Sequence, residues 1–197
     1  AKFPNYRPDI AVVNNVEFDH ADIYPDIDAV TLAFRRLVNL VPSNGLLALG
    51  ADSPVALALK EAARSRVVTF ATGTDADWQA HDLESRGSST RFHVRRHGSP
   101  FGTFEVPLVG AHNVRNALAA IAVAVEVGIS PERIADGLRT FAGVKRRLEI
   151  VGSAGGVTVY DDFAHHPTAV AGTLGGLRAA EPRTPIWAIF EPRSASS

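Results

Sequence analysis

The stretch Ile10-Ala11-Val12-Val13-Asn14-Asn15-Val16-Glu17-Phe18-Asp19-His20 places a short apolar run directly before a polar, acidic segment. The first four residues are apolar and mostly β-branched, which predicts a buried strand. Residues 14–20 then follow the carboxyl end of that strand. Ligand sites of open α/β sheets lie at the carboxyl ends of the strands. This stretch therefore predicts both the fold class and the place where a site should form.

The next segments alternate between helical and strand patterns. Apolar residues recur at helical spacing over residues 29–40, and apolar runs at residues 46–49 and 67–71 predict two more strands. Asp52 or Ser53, followed by Pro54, is typical of a helix start, and this helix should reach about residue 63. Such alternation predicts an α/β fold with a mostly parallel sheet flanked by helices.

Residues 91–127 change pattern twice. Residues 91–96 and 103–109 alternate around the turn signal at residues 98–100, which predicts an antiparallel hairpin, a small annex to the main sheet. Residues 113–127 are apolar on almost every side and end at Gly128, which predicts a buried helix. Ser130-Pro131-Glu132 then begins a helix that should reach about residue 141.

A second structural unit begins after residue 148. Residues 158–160 and 186–190 have strand patterns, and Pro167 begins a helix that should reach about residue 180. Two strands and one helix cannot bury both faces of a parallel sheet. The sequence therefore predicts one domain at residues 1–148 and the truncated start of a second domain at residues 149–197.

Composition excludes several classes of protein. The chain is 46% hydrophobic and 21% charged, which is ordinary for a globular protein, and its net charge of −1 disfavours nucleic acid as a partner. It has no apolar run of about 20 residues and no charged-then-apolar leader, which predicts no membrane partner and favours the cytoplasm. Zero cysteines exclude disulfides, thiolate metal sites and a cysteine nucleophile. The sequence makes no prediction of oligomeric state.

The first candidate site is the loop after the first predicted strand. Glu17, Asp19, His20 and Asp22 place four possible ligands within six residues. Oxygen ligands suit Mg²⁺, which takes few protein groups and usually keeps waters or substrate phosphates. A simpler interpretation, left open by the residues alone, is an acidic loop whose histidine caps or donates a hydrogen bond.

Two further candidates are polar groups at a helix start and in a basic segment. The amides of Asn113 and Asn116 both donate and accept, which suits the edge of a nucleotide base, and a helix N-terminus offers free N–H groups. Alternatively, Asn113 is only the cap of that helix. In Lys145-Arg146-Arg147, an arginine fork could bind phosphate oxygens, although short basic patches are usually solvated.

A fourth candidate is the loop Asp161-Asp162-Phe163-Ala164-His165-His166-Pro167. Its two histidines suggest zinc, but no third ligand occurs at a motif spacing. His166 could instead cap the helix that begins at Pro167.

These segments occur in an order that resembles the Mur ligases, which use ATP to join an amino acid or peptide to a UDP-muramyl carboxylate. The resemblance covers essentially the whole chain and rests on residues 14–22 (NNVEFDHAD), 110–117 (GAHNVRNA), 145–149 (KRRLE) and 160–167 (YDDFAHHP). It implies the family's central ATPase domain followed by the start of a Rossmann-like C-terminal domain.

The resemblance also implies roles for individual residues. His20 matches a ligand of the second magnesium ion and Arg147 matches an arginine that contacts ATP, so both would act in catalysis. Asn113 and Asn116 match asparagines that contact the nucleotide base. Asp162 matches an aspartate that reaches the ATP ribose.

Two more residues receive roles from the same comparison. His165 would shape the nucleotide-binding wall beside Asp162. Arg193, in Glu191-Pro192-Arg193-Ser194, would pair with a carboxylate of the incoming peptide.

The residues of these motifs are most similar to those of family members that join L-alanyl-γ-D-glutamyl-meso-diaminopimelate to UDP-N-acetylmuramate. Those members form an acyl phosphate intermediate and act in peptidoglycan recycling. Alternatives are members that add L-alanine and a catalytically silent nucleotide-binding scaffold. No Gly-x-x-Gly-Lys-[Ser/Thr] phosphate loop is present, since none of the three lysines follows a glycine. We therefore expect an internal piece of a longer enzyme that is inactive by itself.

Overall fold

The computed structural model describes residues 5–191, in which six strands form one mixed sheet and two strands form a separate hairpin. The sheet has the strand order β1-β2-β3-β4-β5-β6. In chain order the elements are β1 (Ile10–Val13), α1 (Ile27–Val38), β2 (Leu46–Gly50), α2 (Pro54–Ala58), β3 (Arg66–Ala71), β4 (Trp78–Arg86), β5 (Ser89–Arg96), β6 (Ser99–Val106), α3 (Ala111–Glu126), α4 (Pro131–Arg139), β7 (Glu149–Ala154), β8 (Val157–Asp161) and α5 (Pro167–Ala180).

The sheet is parallel at one end and antiparallel at the other. β1, β2 and β3 pair in parallel, and β3 makes a short parallel contact with β4. β4, β5 and β6 pair antiparallel. The predicted α/β fold, with a mostly parallel sheet and an antiparallel hairpin, is confirmed, but the hairpin continues the main sheet through β4.

Strand β4 was absent from the sequence prediction. The strand is buried at Trp78 and Ala80, near its start, whereas its later residues are mostly polar. A bulge lies between His81 and Glu84, where Asp82 has a φ of 50°. This bulge breaks the alternation by which a strand is recognised in a sequence.

Strand β2 separates two hydrophobic layers. All five of its residues are buried. Leu47 and Leu49 pack in the layer formed with α1 and α2, while Ala48 packs in the layer formed with α3 and α4. Helices therefore cover both faces of the sheet, as expected where successive side chains point to opposite faces.

Side chains cap three of the five α-helices in the described residues, and Asp26 caps α1 by accepting a hydrogen bond from Ala29 N. Ser53 accepts a hydrogen bond from Ala56 N in α2, and Ser130 caps α4. After Ala58, α2 continues only as a 3-10 turn over Leu59–Ala62. Helix α3 begins earlier than predicted, because Gly110, with a φ of 95°, is its cap. Capping by Asn113 was therefore wrong.

The second unit consists of the β7–β8 hairpin and helix α5. The expected strand at residues 186–190 is wrong, because that segment has no strand structure. Trp187 is 91% exposed and Ile189 is 101% exposed, and no strand of the described residues pairs with this segment. Within the same range, no helix has the length and hydropathy needed to cross a membrane.

Asp52 ties the end of β2 to the loop after β3. Its carboxylate accepts hydrogen bonds from the backbone of Thr72 and Gly73 and from the hydroxyls of Thr72 and Thr74. Burial raises the pKa of this carboxyl, but the four hydrogen bonds together lower it below its ordinary value. The ionised form therefore stabilises the folded state.

We predict that Asp52→Asn lowers the free energy of unfolding by about 1 to 3 kcal/mol at pH 7. A depressed carboxyl pKa contributes stability above the unfolded-state pKa, and this contribution is lost as the pH falls through the folded-state pKa. The difference from the parent chain should therefore shrink below about pH 4. Urea titrations measure it, with Asp75→Asn as the control, since Asp75 is exposed in the loop after β3 that Asp52 binds. A pH-independent difference would contradict the prediction.

Candidate functional site

A cleft with a volume of about 950 Å³ lies where the first domain meets the loop after β8. Its walls include the loop after β1, the start of α3, and α5 with the loop before it. The linker before β7, residues 140–148, also contributes. This volume lies within the range typical of small-molecule sites. Five of the seven residues to which the family resemblance gives a role line the cleft: His20, Asn113, Asn116, Arg147 and Asp162.

Two other predicted residues are not part of this lining. His165 faces Asp19, with 3.9 Å between its Nε2 and Asp19 Oδ2. Its Nδ1 lies 3.1 Å from the carbonyl oxygen of Phe163. Arg193 lies outside the described residues.

The start of α3 presents side-chain amides to the cleft. Asn113 Nδ2 donates to the carbonyl of Val109 at 2.9 Å. Asn116 Oδ1 accepts a hydrogen bond from Asn14 Nδ2. Asn14 Oδ1 is buried and has no hydrogen-bond partner among the described residues. Sequence reasoning gave Asn14 no role, although its place directly after β1 was a usable signal.

Arg115 and His112 also line the cleft and were not predicted. Arg115 Nε is buried and makes no hydrogen bond within the described part of the chain. Burial, followed by the charge of Arg115, lowers the pKa of His112; Arg147 lowers it further, while Asp162 opposes the shift. His112 is therefore neutral at pH 7. Orphaned polar atoms such as Asn14 Oδ1 and Arg115 Nε call for a polar partner.

Asp162 connects the linker to the second unit. Its Oδ2 accepts from Leu148 N at 2.8 Å, and its Oδ1 accepts from Ala164 N at 2.8 Å and from the Thr173 hydroxyl at 3.4 Å. The neighbouring guanidinium of Arg147 lies 6.0 Å from the centre of the Phe163 ring. Asp162 thus already has a structural function, which its sequence motif did not reveal.

The acidic loop after β1 contacts the histidines of the second unit. His166 Nδ1 lies 3.1 Å from Glu17 Oε2, and its Nε2 lies 3.3 Å from the carbonyl oxygen of Phe18. His166 occupies the cap position of α5, but its side chain makes no capping bond. Its ring instead joins two segments that are 148 residues apart.

The loop holds His20 as a candidate metal ligand rather than a complete metal centre. His20, with a φ of 58°, has a side chain that is 64% exposed and lies 4.0 Å from Asp19 Oδ2. Over the described range, no three histidine or carboxylate side chains converge in a way that could hold a metal ion. The geometry therefore offers His20 as a single ligand, and its assignment to magnesium stays a prediction.

The fold and cleft define an α/β protein whose site lies at the ends of parallel strands, beneath the start of a second domain. The chain belongs to the Mur ligase family: residues 2–124 match the Mur ligase middle domain, and residues 146–197 match the Mur ligase glutamate ligase domain. The family resemblance of the motifs is thereby confirmed. The boundary at residue 148 falls near these matches but stays a prediction.

The names of the relatives describe two ligase activities, one for L-alanine and one for a peptide. UDP-N-acetylmuramate–L-alanine ligase of Salinibacter ruber is 42% identical over 194 residues, covering 98% of this chain and 41% of that protein. UDP-N-acetylmuramate–L-alanyl-gamma-D-glutamyl-meso-2,6-diaminoheptandioate ligase of Escherichia coli is 41% identical over 195 residues, covering 98% and 42%. The solved murein peptide ligase of Psychrobacter arcticus has a TM-score of 0.67 and 36% identity, covering 98% and 40%. The chain thus spans about two fifths of each relative's length.

We predict that Glu17 and His166 are energetically coupled across the cleft. In a double-mutant cycle with Glu17→Gln and His166→Asn, unfolding free energies should give a coupling of about 0.5 to 1 kcal/mol, because the pair is partly shielded from solvent. The matched control replaces His166→Asn with His165→Asn, since His165 faces Asp19 rather than Glu17. Equal coupling in both cycles would contradict the specific pairing.

Proposed function

We propose that the complete protein is an ATP-dependent ligase that joins L-alanyl-γ-D-glutamyl-meso-diaminopimelate to UDP-N-acetylmuramate. One observation carries this proposal: candidate nucleotide-binding residues from both matched domains line the same cleft. Asn113 and Asn116 enter it from the first domain, whereas Asp162 enters it from the second.

The nucleotide is proposed to bind across the two domains. Asn116 and Asn113 would contact the base, and a polar ligand at this place is supported by Asn14 Oδ1, which no described residue pairs with. Arg147 would contact phosphate oxygens, because a guanidinium fork matches two of them at once. Asp162 would accept from a ribose hydroxyl while keeping its bond to Leu148 N, since a carboxylate has about four acceptor positions. His165 would support the same wall.

Magnesium is proposed to bind beside the phosphates with His20 as one protein ligand. The exposed imidazole of His20 on the cleft wall supports this role. Mg²⁺ commonly takes only one or two protein groups together with substrate phosphates and waters. A bound Mg²⁺ would offset the negative charge of those phosphates.

The proposed reaction has two transfers. The γ-phosphoryl group of ATP passes to the muramyl carboxylate, which gives an acyl phosphate and ADP. The tripeptide amine then attacks the acyl carbon and releases a proton to solvent, an amide bond forms, and phosphate leaves with the carbon–oxygen electron pair. In this chain, Arg147 would stabilise charge on the transferred group. The contacts of His166 with the acidic loop would help to exclude water from the acyl phosphate.

The tripeptide is proposed as the substrate, rather than L-alanine, because of the residues in two motifs. The Phe163-Ala164 pair and the Glu191-Pro192-Arg193 segment resemble the peptide-adding members, and Arg193 would pair with a peptide carboxylate. L-alanine addition is the second candidate, because an L-alanine ligase is just as similar in identity.

We predict that the complete protein releases ADP and forms the amide with the tripeptide at a kcat/KM at least about 100-fold above that with L-alanine, a difference of about 2.7 kcal/mol in transition-state binding. A coupled ADP assay with UDP-N-acetylmuramate measures both. The 197-residue chain alone is the control and should give no ADP above background, because it contains no phosphate-cradling Gly-Lys loop. Preference for L-alanine would overturn the tripeptide assignment.

We predict that His20→Ala in the complete protein lowers kcat at limiting Mg²⁺ by about 10-fold or more without a matching loss of stability, because removing a ligand weakens metal binding. Initial rates across a Mg²⁺ series measure the effect, which higher Mg²⁺ should partly reverse. His97→Ala is the matched control: His97 also has a positive φ, and its side chain is 59% exposed on the β5–β6 turn. Identical Mg²⁺ dependence in the His20 variant and the parent would contradict the assignment of His20 as a magnesium ligand.

A further inference from the structure

The linker before β7 has an unusual backbone around Arg147. Arg146 has a φ of 59° and Leu148 has a φ of 51°, so two non-glycine residues in the left-handed region flank Arg147. Side chains with a Cβ rarely adopt this region. Residues keep this backbone conformation only where several contacts with the surrounding structure hold them in it.

The contacts that hold this backbone come from the second unit. Leu148 N donates to Asp162 Oδ2 at 2.8 Å, and Phe163 N donates to the carbonyl of Arg146 at 2.9 Å. Arg146 also donates from its Nε to Asp161 at 3.2 Å and from its backbone N to Glu149 at 2.8 Å. The residues on both sides of Arg147 are thereby fixed to β7 and to the end of β8.

The half-buried Phe163 ring lies against both neighbouring arginines. The guanidinium carbon of Arg146 is 5.1 Å from the ring centre, and that of Arg147 is 6.0 Å away. The His165 ring meets the same ring edge-on at 5.3 Å. A guanidinium over an aromatic face within about 6 Å is attracted by the ring quadrupole. Phe163 thus touches the linker through its backbone and Arg147 through its ring.

We propose that Phe163 is a positioning residue for Arg147. Its backbone N–H, together with the Asp162 carboxylate, fixes the linker, and its ring face sets the direction of the Arg147 guanidinium on the cleft wall. This inference rests on the proposed function only in assigning Arg147 to ATP phosphates.

The chemistry of the ring gives a specific pair of variants. Phe163→Tyr keeps a planar aromatic face, so it should keep Arg147 in place. Phe163→Leu keeps an apolar side chain but removes the face. Since both variants retain the backbone N–H of residue 163, any difference between them reports on the ring.

The experiment uses the complete protein and compares these variants in the parent and in an Arg147→Ala background. We expect Phe163→Leu to lower kcat roughly tenfold with the KM for the tripeptide changed less than about twofold, and Phe163→Tyr to stay within about threefold of the parent, because small misplacements of a catalytic group are costly. In the Arg147→Ala background, Phe163→Leu should have no further effect on kcat, since it acts through the missing side chain.

A second readout does not depend on activity. In the 15N-labelled protein, Phe163→Leu should shift the Nε–H resonance of Arg147, which lies near the ring face, whereas Phe163→Tyr should leave it nearly unchanged. If the resonance shifts in Phe163→Leu and not in Phe163→Tyr, but Arg147→Ala has normal turnover, Phe163 positions Arg147. The proposed contact of Arg147 with ATP phosphates is then wrong. If Arg147→Ala lowers kcat while Phe163→Leu leaves both kcat and the resonance unchanged, the positioning role is overturned. A rise in tripeptide KM alone would place Phe163 at the substrate and would also overturn it.

Discussion

The burial of β2 on both faces is the constraint on which the rest of this structure depends. Its five residues are enclosed by two helical layers, so its side chains are committed to packing. Polar groups near β2 then lie beyond its ends, where the backbone leaves the sheet. The acidic loop after β1 and the Asp52 network after β2 both lie in such positions. The sheet therefore determines where the cleft can form before any functional residue is considered.

The second wall of the cleft depends on a close approach between two helices. A Cβ added to Gly176 in α5 would lie 3.0 Å from Gly110 Cα and 3.3 Å from the carbonyl oxygen of Val109. Any larger residue would have to displace backbone, so Gly176 permits α5 to rest against the start of α3. Gly110 itself has a φ of 95°, which begins α3 without a side-chain cap. This contact brings the polar groups at the start of α3 and in the loop before α5 to a common cavity.

The cleft contains charges of both signs rather than a patch of one sign. Arg115 and Arg147 oppose protonation of His112, whereas Asp162 favours it, so positive and negative groups converge around a neutral imidazole. On the other side, Glu17 and Asp19 face the histidines at positions 166 and 165. An anionic ligand would meet the arginine side, while the acidic loop suits a cation. This separation follows from the meeting of two domains, each of which contributes both signs of charge.

The sequence by itself determined the parallel strands, the helix starts at Pro54 and Pro131, and the loops that hold the candidate residues, because these depend on local periodicity and capping. Only the tertiary structure decided which of these loops meet. The contacts of Asn14 with Asn116 and of His166 with Phe18 join residues 102 and 148 positions apart, and no local pattern encodes them. The same reason explains three strand errors. The unpredicted β4 and β7 are strands because β3 and β5 pair with β4 and because β8 pairs with β7, whereas residues 186–190 have a strand pattern but no neighbour to pair with among the described residues.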